Sequence, residues 1–193
     1  MKLTPQELKH IASLTLDQYN DDAEDFWQGT RGHDVSQNIA ALLQHIEGDP
    51  PFTLLDLGCG PGRDLKVLAD RGHRAIGLDG AARFTAMARV YSGCEVWQQD
   101  FLKLDLPDGH FDGIFANATL FHVPSQELPR VLRLRMLAVK NSMKRRLARS
   151  PRSRMMAGSA SSPARTSAGG GVSASVSTIG GFGIRLRPLP GWH

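Results

Sequence analysis

The sequence predicts an α/β fold built on a parallel sheet, and three observations carry that reading. From Phe52 onward, short apolar runs alternate with helix-like stretches, as they do where crossover helices join parallel strands. The first run (Phe52, Leu54, Leu55, Leu57) ends in glycines at alternate positions, Gly58, Gly60 and Gly62, and passes directly into DLKVLA. The next two runs close on acids, Asp79 and Asp100. In such sheets ligands lie at the carboxyl ends of the strands.

Taken in order, the chain opens with a helix. Thr4-Pro5-Gln6-Glu7 has a capping-box pattern with proline at the first helical position, and Leu8, Ile11 and Leu14 follow at helical spacing. The acidic stretch TLDQYNDDAEDFW sets Tyr19 and Trp27 among carboxylates. A second helix is expected from about Asp34 to Glu47, with Val35, Ile39, Leu42, Leu43 and Ile46 on one face and Gly48-Asp49-Pro50-Pro51 as its stop. Residues 1–50 thus read as a helical cap. It is either a cover over one sheet edge or a lid that brings Tyr19, Trp27 or Arg31 to a ligand.

Strands are expected at about 52–57, 74–78, 94–98 and 111–116, with helices at 63–71 and 81–91 between them. Ser125 is a candidate cap for a last helix, which Leu128, Val131, Leu132, Leu134, Leu137 and Val139 carry toward Leu147. Residues 51–149 form the ligand-binding half-domain in this division. Residues 150–193 are a basic tail of Ser, Ala, Gly, Arg and Pro without periodicity, a composition expected to be disordered.

The charge is divided as sharply as the pattern. Residues 1–132 hold 11 Lys and Arg against all 19 Asp and Glu, whereas residues 133–193 hold the other 12 Lys and Arg and no acid. The overall charge of +4 and pI near 9.4 therefore describe the tail. Two cysteines, Cys59 and Cys94, make neither a disulfide framework nor a metal site. MKLTPQELKH lacks the apolar core of a signal peptide and no apolar run approaches spanning length, so a cytoplasmic protein without a membrane partner is expected.

The glycine turn discriminates between ligands. A dinucleotide fingerprint requires G-x-G-x-x-G, but Arg63 stands where the third glycine would fall, and no Lys-Ser/Thr pair follows as a P-loop requires. Glycine lets a ligand lie against the backbone, and the start of the following helix adds amide donors. Asp79, 17 residues past Gly62, suits both hydroxyls of a ribose. Asp100 beside Phe101 offers an acceptor for an exocyclic amine next to an apolar ring, and Asn117 ends the fourth strand beside the same crevice. A nucleoside carrying an amino-acid moiety fits this set better than a dinucleotide.

LLDLGCGPG, with GLDG at 77–80 and QQDF at 98–101, resembles the class I S-adenosylmethionine-dependent methyltransferases of the "methyltransferase domain 11/25" type, over about residues 19–132. The resemblance implies a Rossmann-like sheet of order 3-2-1-4 and S-adenosylmethionine as cofactor. By that likeness Gly58, Cys59 and Gly60 approach the methionine part, with Gly62 completing the turn and Asp56 supporting it. Asp79 and its neighbour Gly80 hold the ribose, Asp100 and Phe101 the adenine, and Asn117 faces the methyl. Tyr19 and Arg31 match a lid over the cofactor carboxylate. The implied reaction is in-line methyl transfer to a small-molecule acceptor, which needs no covalent nucleophile. Cys59 accordingly reads as a small residue in a crowded turn and Cys94 as strand core. His33 and His73 read as surface or turn residues, and His122 is a candidate general base or a packing residue.

The family continues through further C-terminal strands, which are missing from the pattern after about Leu132. Ordinary composition would give residues 133–193 about seven acids. Their absence suggests out-of-frame translation or a truncation scar, leaving the fourth strand as an apolar edge. The rival reading is a basic arm that binds nucleic acid electrostatically.

Overall fold

The computed structural model describes residues 2–140 of the 193-residue chain. Three helices come first: α1 (Pro5–Asp21), α2 (Ala23–Thr30) and α3 (Ser36–Gln44). The capping box forms as its residues predict, Glu7 N donating to Thr4 Oγ1 (3.3 Å) and Thr4 N to Glu7 Oε2 (2.7 Å). The acidic stretch expected only to carry two aromatics supplies the end of α1 and most of α2. α3 is shorter than the expected 34–47 helix: Asp34 Oδ1 accepts from Ser36 N ahead of it.

The sheet then alternates as expected: β1 (Thr53–Leu57), α4 (Arg63–Asp70), β2 (Arg74–Asp79), α5 (Ala82–Ser92), β3 (Glu95–Gln98) and β4 (Gly113–Phe115). All pairings are parallel and the order is β3-β2-β1-β4. β1 is central, so Leu54, Leu55 and Leu57 are wholly buried. One core layer gathers Leu55, Leu57, Ile76, Leu78, Phe111 and Val131. The other gathers Ile39, Leu54, Leu65, Leu68, Ala88 and Val96 beneath α3, α4 and α5.

Two expectations fail at the C-terminal end. Ser125 caps nothing; α6 (Leu128–Ala138) starts after Glu127 and carries Pro129 in its first turn. Nor does this helix continue toward Leu147, because Val139 turns extended (φ −82°, ψ 136°). The cause is tertiary. Phe111 N donates to Ala138 O (3.0 Å) and Lys140 N donates to Phe111 O (2.8 Å), a parallel bridge between Phe111 and Val139. The fourth strand is thus partnered just before its start, where the sequence pattern suggests a bare edge. The low-complexity tail at 150–193 lies outside the described residues.

Candidate cofactor-binding site at the glycine turn

The glycine turn folds back on β2 before it meets anything else. Gly58 N and Cys59 N both donate to Leu78 O (2.7 and 3.1 Å), and Gly62 N donates to Cys59 O (3.0 Å). Gly58, Gly60 and Gly62 have φ of 78°, 52° and 96°, a region costly for residues with a Cβ. The turn's own amides at 58, 59 and 62 are therefore satisfied internally. What the turn offers is surface. A Cβ on Gly58 would fall 2.4 Å from the Thr119 side chain, and one on Gly62 would fall 2.8 Å from Ala88 Cα. At Gly60 the nearest atom would be Phe26 Cε1 at 3.8 Å, so this glycine faces room.

Asp79 closes β2 directly beneath that room. Its Oδ2 accepts from Gly60 N and its Oδ1 from Ala81 N, both at 2.9 Å. Burial raises its carboxyl above the usual range, opposed by the amides of Ala81, Gly60 and Gly80. Each oxygen retains acceptor capacity beyond one amide, as two ribose hydroxyls would require. Gly80 is packed by α1: a Cβ there would lie 2.6 Å from Leu16 Cδ2. At the neighbouring strand end, Asp100 Oδ1 accepts from Leu102 N (2.9 Å), and half-buried Phe101 packs on the core.

Asp56 lies below the turn rather than in it. It is 2% exposed, its Oδ2 has no partner among the described residues, and burial with Asp64 and Asp79 nearby pushes its pKa well up. A protonated carboxyl is the form such a pocket favours. Cys59 is buried in the second core layer and its thiol pKa is pushed well up by burial, with Asp56 and Asp79 adding to it. That agrees with a packing residue. Cys94 is half-buried just ahead of β3.

The cap closes the site from above. Tyr19 packs against Phe26, Phe84 and the His122 ring, with centroids 5.3–5.6 Å away, and Tyr19 Oη lies 3.0 Å from His122 Nε2. Burial pushes the Tyr19 hydroxyl up to about 12, with Asp79 adding to it, and pushes His122 down to about 4. His122 is thus a neutral imidazole held by a phenol. Arg31 lies exposed at the C-terminal end of α2, and Trp27 turns away to Tyr91 (4.7 Å). Of the three lid candidates, the structure brings Tyr19 to the site. Asn117 is engaged by the protein: its Oδ1 accepts from Asn38 Nδ2 (3.2 Å), and its Nδ2 donates to Asp64 Oδ2 (3.4 Å). Sequence reasoning missed Phe26 and Phe84, whose spacing gave no sign of convergence over Gly60 and Asp79, and it missed Arg63 with Asp64. Among the described residues no group of three or more His, Cys, Asp or Glu could hold a metal.

Residues 54–141 match the family model described as a methyltransferase domain. Over that segment the chain is similar to methyltransferase domains. The methyltransferase domain match runs past Leu132 and covers the Phe111–Val139 bridge. Among curated relatives, trans-aconitate 2-methyltransferase of Azoarcus sp. is 35% identical over 96 residues, covering 48% of this chain and 38% of that protein. The 2-heptyl-1-hydroxyquinolin-4(1H)-one methyltransferase of Mycobacteroides abscessus is 34% identical, covering 49% of this chain and 44% of that one. The chain thus spans less than half the length of either. The fold is shared with phosphoethanolamine N-methyltransferase 1 of Haemonchus contortus (18% identity, TM-score 0.60, 72% of this chain and 31% of that one). It is also shared with magnesium protoporphyrin IX methyltransferase of Synechocystis (20%, TM-score 0.51, 63% and 68%).

Proposed function

We propose that this protein binds S-adenosylmethionine at the carboxyl ends of β1, β2 and β3 and transfers its methyl group to a small-molecule acceptor. The observation that carries the reading is the Gly60–Asp79 pairing, which holds a half-buried carboxyl group under an open glycine at the end of β2. In this reading Asp79 accepts from the ribose hydroxyls, Asp100 accepts from the adenine amine, and Phe101 packs on its ring. Gly58, Cys59 and Gly60 give the methionine part its surface, Asp56 and Gly62 shape the turn, and Gly80 lets α1 close in. When bound, the cofactor supplies an electrophilic sulfonium methyl. The protein aligns the acceptor and excludes water, with Tyr19, Phe26 and Phe84 as the covering wall.

His122 is the candidate group beside the acceptor. Neutral across the physiological range and, with a pKa of about 4, a weak base, it serves by holding Tyr19. Asn117, tied to Asn38 and Asp64, shapes the crevice instead of reaching the methyl. Calorimetry with S-adenosylmethionine tests the cofactor assignment: binding heat for the parent protein that disappears in Asp79→Ala supports it. No heat from either protein sinks it.

A second reading is a module that binds the cofactor without transferring a methyl group. The acid-free composition of residues 142–193, which follow the methyltransferase match, favours it, read as out-of-frame sequence. A methyl-transfer assay on folded protein separates the two readings, and the coding DNA decides the frame: without a family-like continuation in another frame, that account fails. A natural basic arm would instead show nucleic-acid binding that collapses with salt and disappears when 133–193 are deleted. Cytoplasmic residence, with 1–50 as a cap unit and 51–149 as the cofactor unit, completes the proposal. Among the described residues no helix is long and apolar enough to cross a membrane.

A further inference from the structure

Arg63 follows the last glycine of the turn and opens α4, and its guanidinium reaches two ways. Its Nε and Nη2 donate to Asp64 Oδ1 and Oδ2 (2.6 and 2.9 Å), a forked ion pair with side chains only 19% and 11% exposed. Its Nη1 donates to Thr30 O at 2.7 Å. Thr30 is the last residue of α2, where helix carbonyls lack intrahelical partners and the dipole favours a cation. Asp64 Oδ2 also accepts from Asn117 Nδ2, and Asn117 Oδ1 from Asn38 Nδ2 in α3. One polar chain therefore joins the end of α2, the glycine turn, the end of β4 and the body of α3.

The same α2 carries Phe26 over Gly60 four residues before Thr30. We propose that Arg63, braced by Asp64, is a positioning residue that fastens the α2–α3 part of the cap over the glycine turn and so retains the cofactor. This rests on the reading of the turn as an S-adenosylmethionine site. The latch acts through Thr30 on Phe26, and opening the cap requires the Arg63–Thr30 bond to break. A lysine at 63 keeps the charge but cannot reproduce the fork, which is why the conservative change is informative.

The experiment compares the full chain with Arg63→Lys and Arg63→Met by hydrogen exchange without ligand and by S-adenosylhomocysteine affinity. Expected in both variants is exchange at amides 23–40 faster by about tenfold, with amides of β1 and β2 unchanged. Affinity for S-adenosylhomocysteine should fall about tenfold, through faster release. Unchanged exchange at 23–40 in both variants, or faster exchange spread equally over β1 and β2, overturns the latch. Loosened exchange with unchanged affinity overturns its role in retention. If the parent protein does not bind S-adenosylhomocysteine, the cofactor reading falls, and the ligand-free exchange still decides whether Arg63 fastens the cap.

Discussion

Tyr19 Oη and His122 Nε2 lie 3.0 Å apart although 103 residues separate them in sequence. The bond joins α1 to the turn that follows β4, so the cap is fastened there as well as at the Arg63 pairing. A second fastening ties the segment ahead of α1: Leu3 N donates to Gln126 Oε1 and Gln126 Nε2 donates to Leu3 O (2.8 and 3.0 Å). Cap and sheet are thus tied at more than one place.

The first prediction concerns acid. The pKa of His122 in the fold, about 4, lies below its ordinary value of 6.5 because burial disfavours the imidazolium. Above pH 6.5 neither folded nor unfolded chain protonates it. As pH falls from 6.5 toward 4 the unfolded chain takes up a proton that the fold refuses, so the stability contribution is lost across that window. Asp56 and Asp79, whose pKa values are raised, work in the opposite direction. The difference between proteins therefore carries the test. His122→Gln should lose less melting temperature than the parent between pH 6.5 and 4.5, and superimposable pH profiles would exclude the assignment.

The glycines of the turn differ from the other left-handed glycines in a measurable way. Gly62→Ala combines a φ of 96° with a Cβ 2.8 Å from Ala88 Cα, and should cost about 2–5 kcal/mol. Gly93, at the end of α5, has φ 70° but nothing within 4 Å of an added methyl, so Gly93→Ala should cost about 1–2 kcal/mol. Urea unfolding of the two variants measures the gap. Equal costs would mean that torsion alone, and not the approach of α5, demands a glycine at 62.

How much of this was legible in sequence follows the physics of each feature. The strand order, the turn and the acids at strand ends leave local traces: period, glycine spacing, and an acid closing an apolar run. Arg63 registered only as a departure from G-x-G-x-x-G. It pairs with its neighbour Asp64 and with Thr30 on α2, while Asn117 after β4 joins through Asp64, and a side-chain network across elements has no period to read. The end of α6 misled for a related reason. Leu134, Leu137 and Val139 continue an apolar pattern, yet hydrogen bonds to Phe111 outweigh helix continuation at Val139.

The two thiols should separate cleanly under alkylation. Cys59 is 7% exposed with its pKa pushed well up, so little thiolate forms and little reagent reaches it. Cys94 is half-buried near the sheet edge. Iodoacetamide at pH 8 followed by peptide mass spectrometry should label Cys94 well ahead of Cys59, with both labelled in denaturant. Native labelling of Cys59 at the rate of Cys94 would mean that the turn opens readily, against the packing of Cys59 beneath Gly77.

The bridge beside β4 can be separated from the ion pair that accompanies it. Lys140 contributes twice: its backbone N donates to Phe111 O (2.8 Å), and its Nζ pairs with Asp112 Oδ2 at 2.9 Å. Lys140→Ala removes only the ion pair, to a carboxylate 10% exposed that keeps its bond from Thr53 N, and should cost about 1–3 kcal/mol. Lys140→Pro also removes the N–H and leaves the carbonyl of wholly buried Phe111 without that partner, for about 1–3 kcal/mol more. Val139 already has the extended backbone that a following proline favours, so the added loss reports the hydrogen bond rather than a clash. Denaturant midpoints of the two variants give the comparison. If proline costs no more than alanine, residues 138–140 do not pair along β4 in solution, and the fourth strand is the bare edge that its sequence suggested.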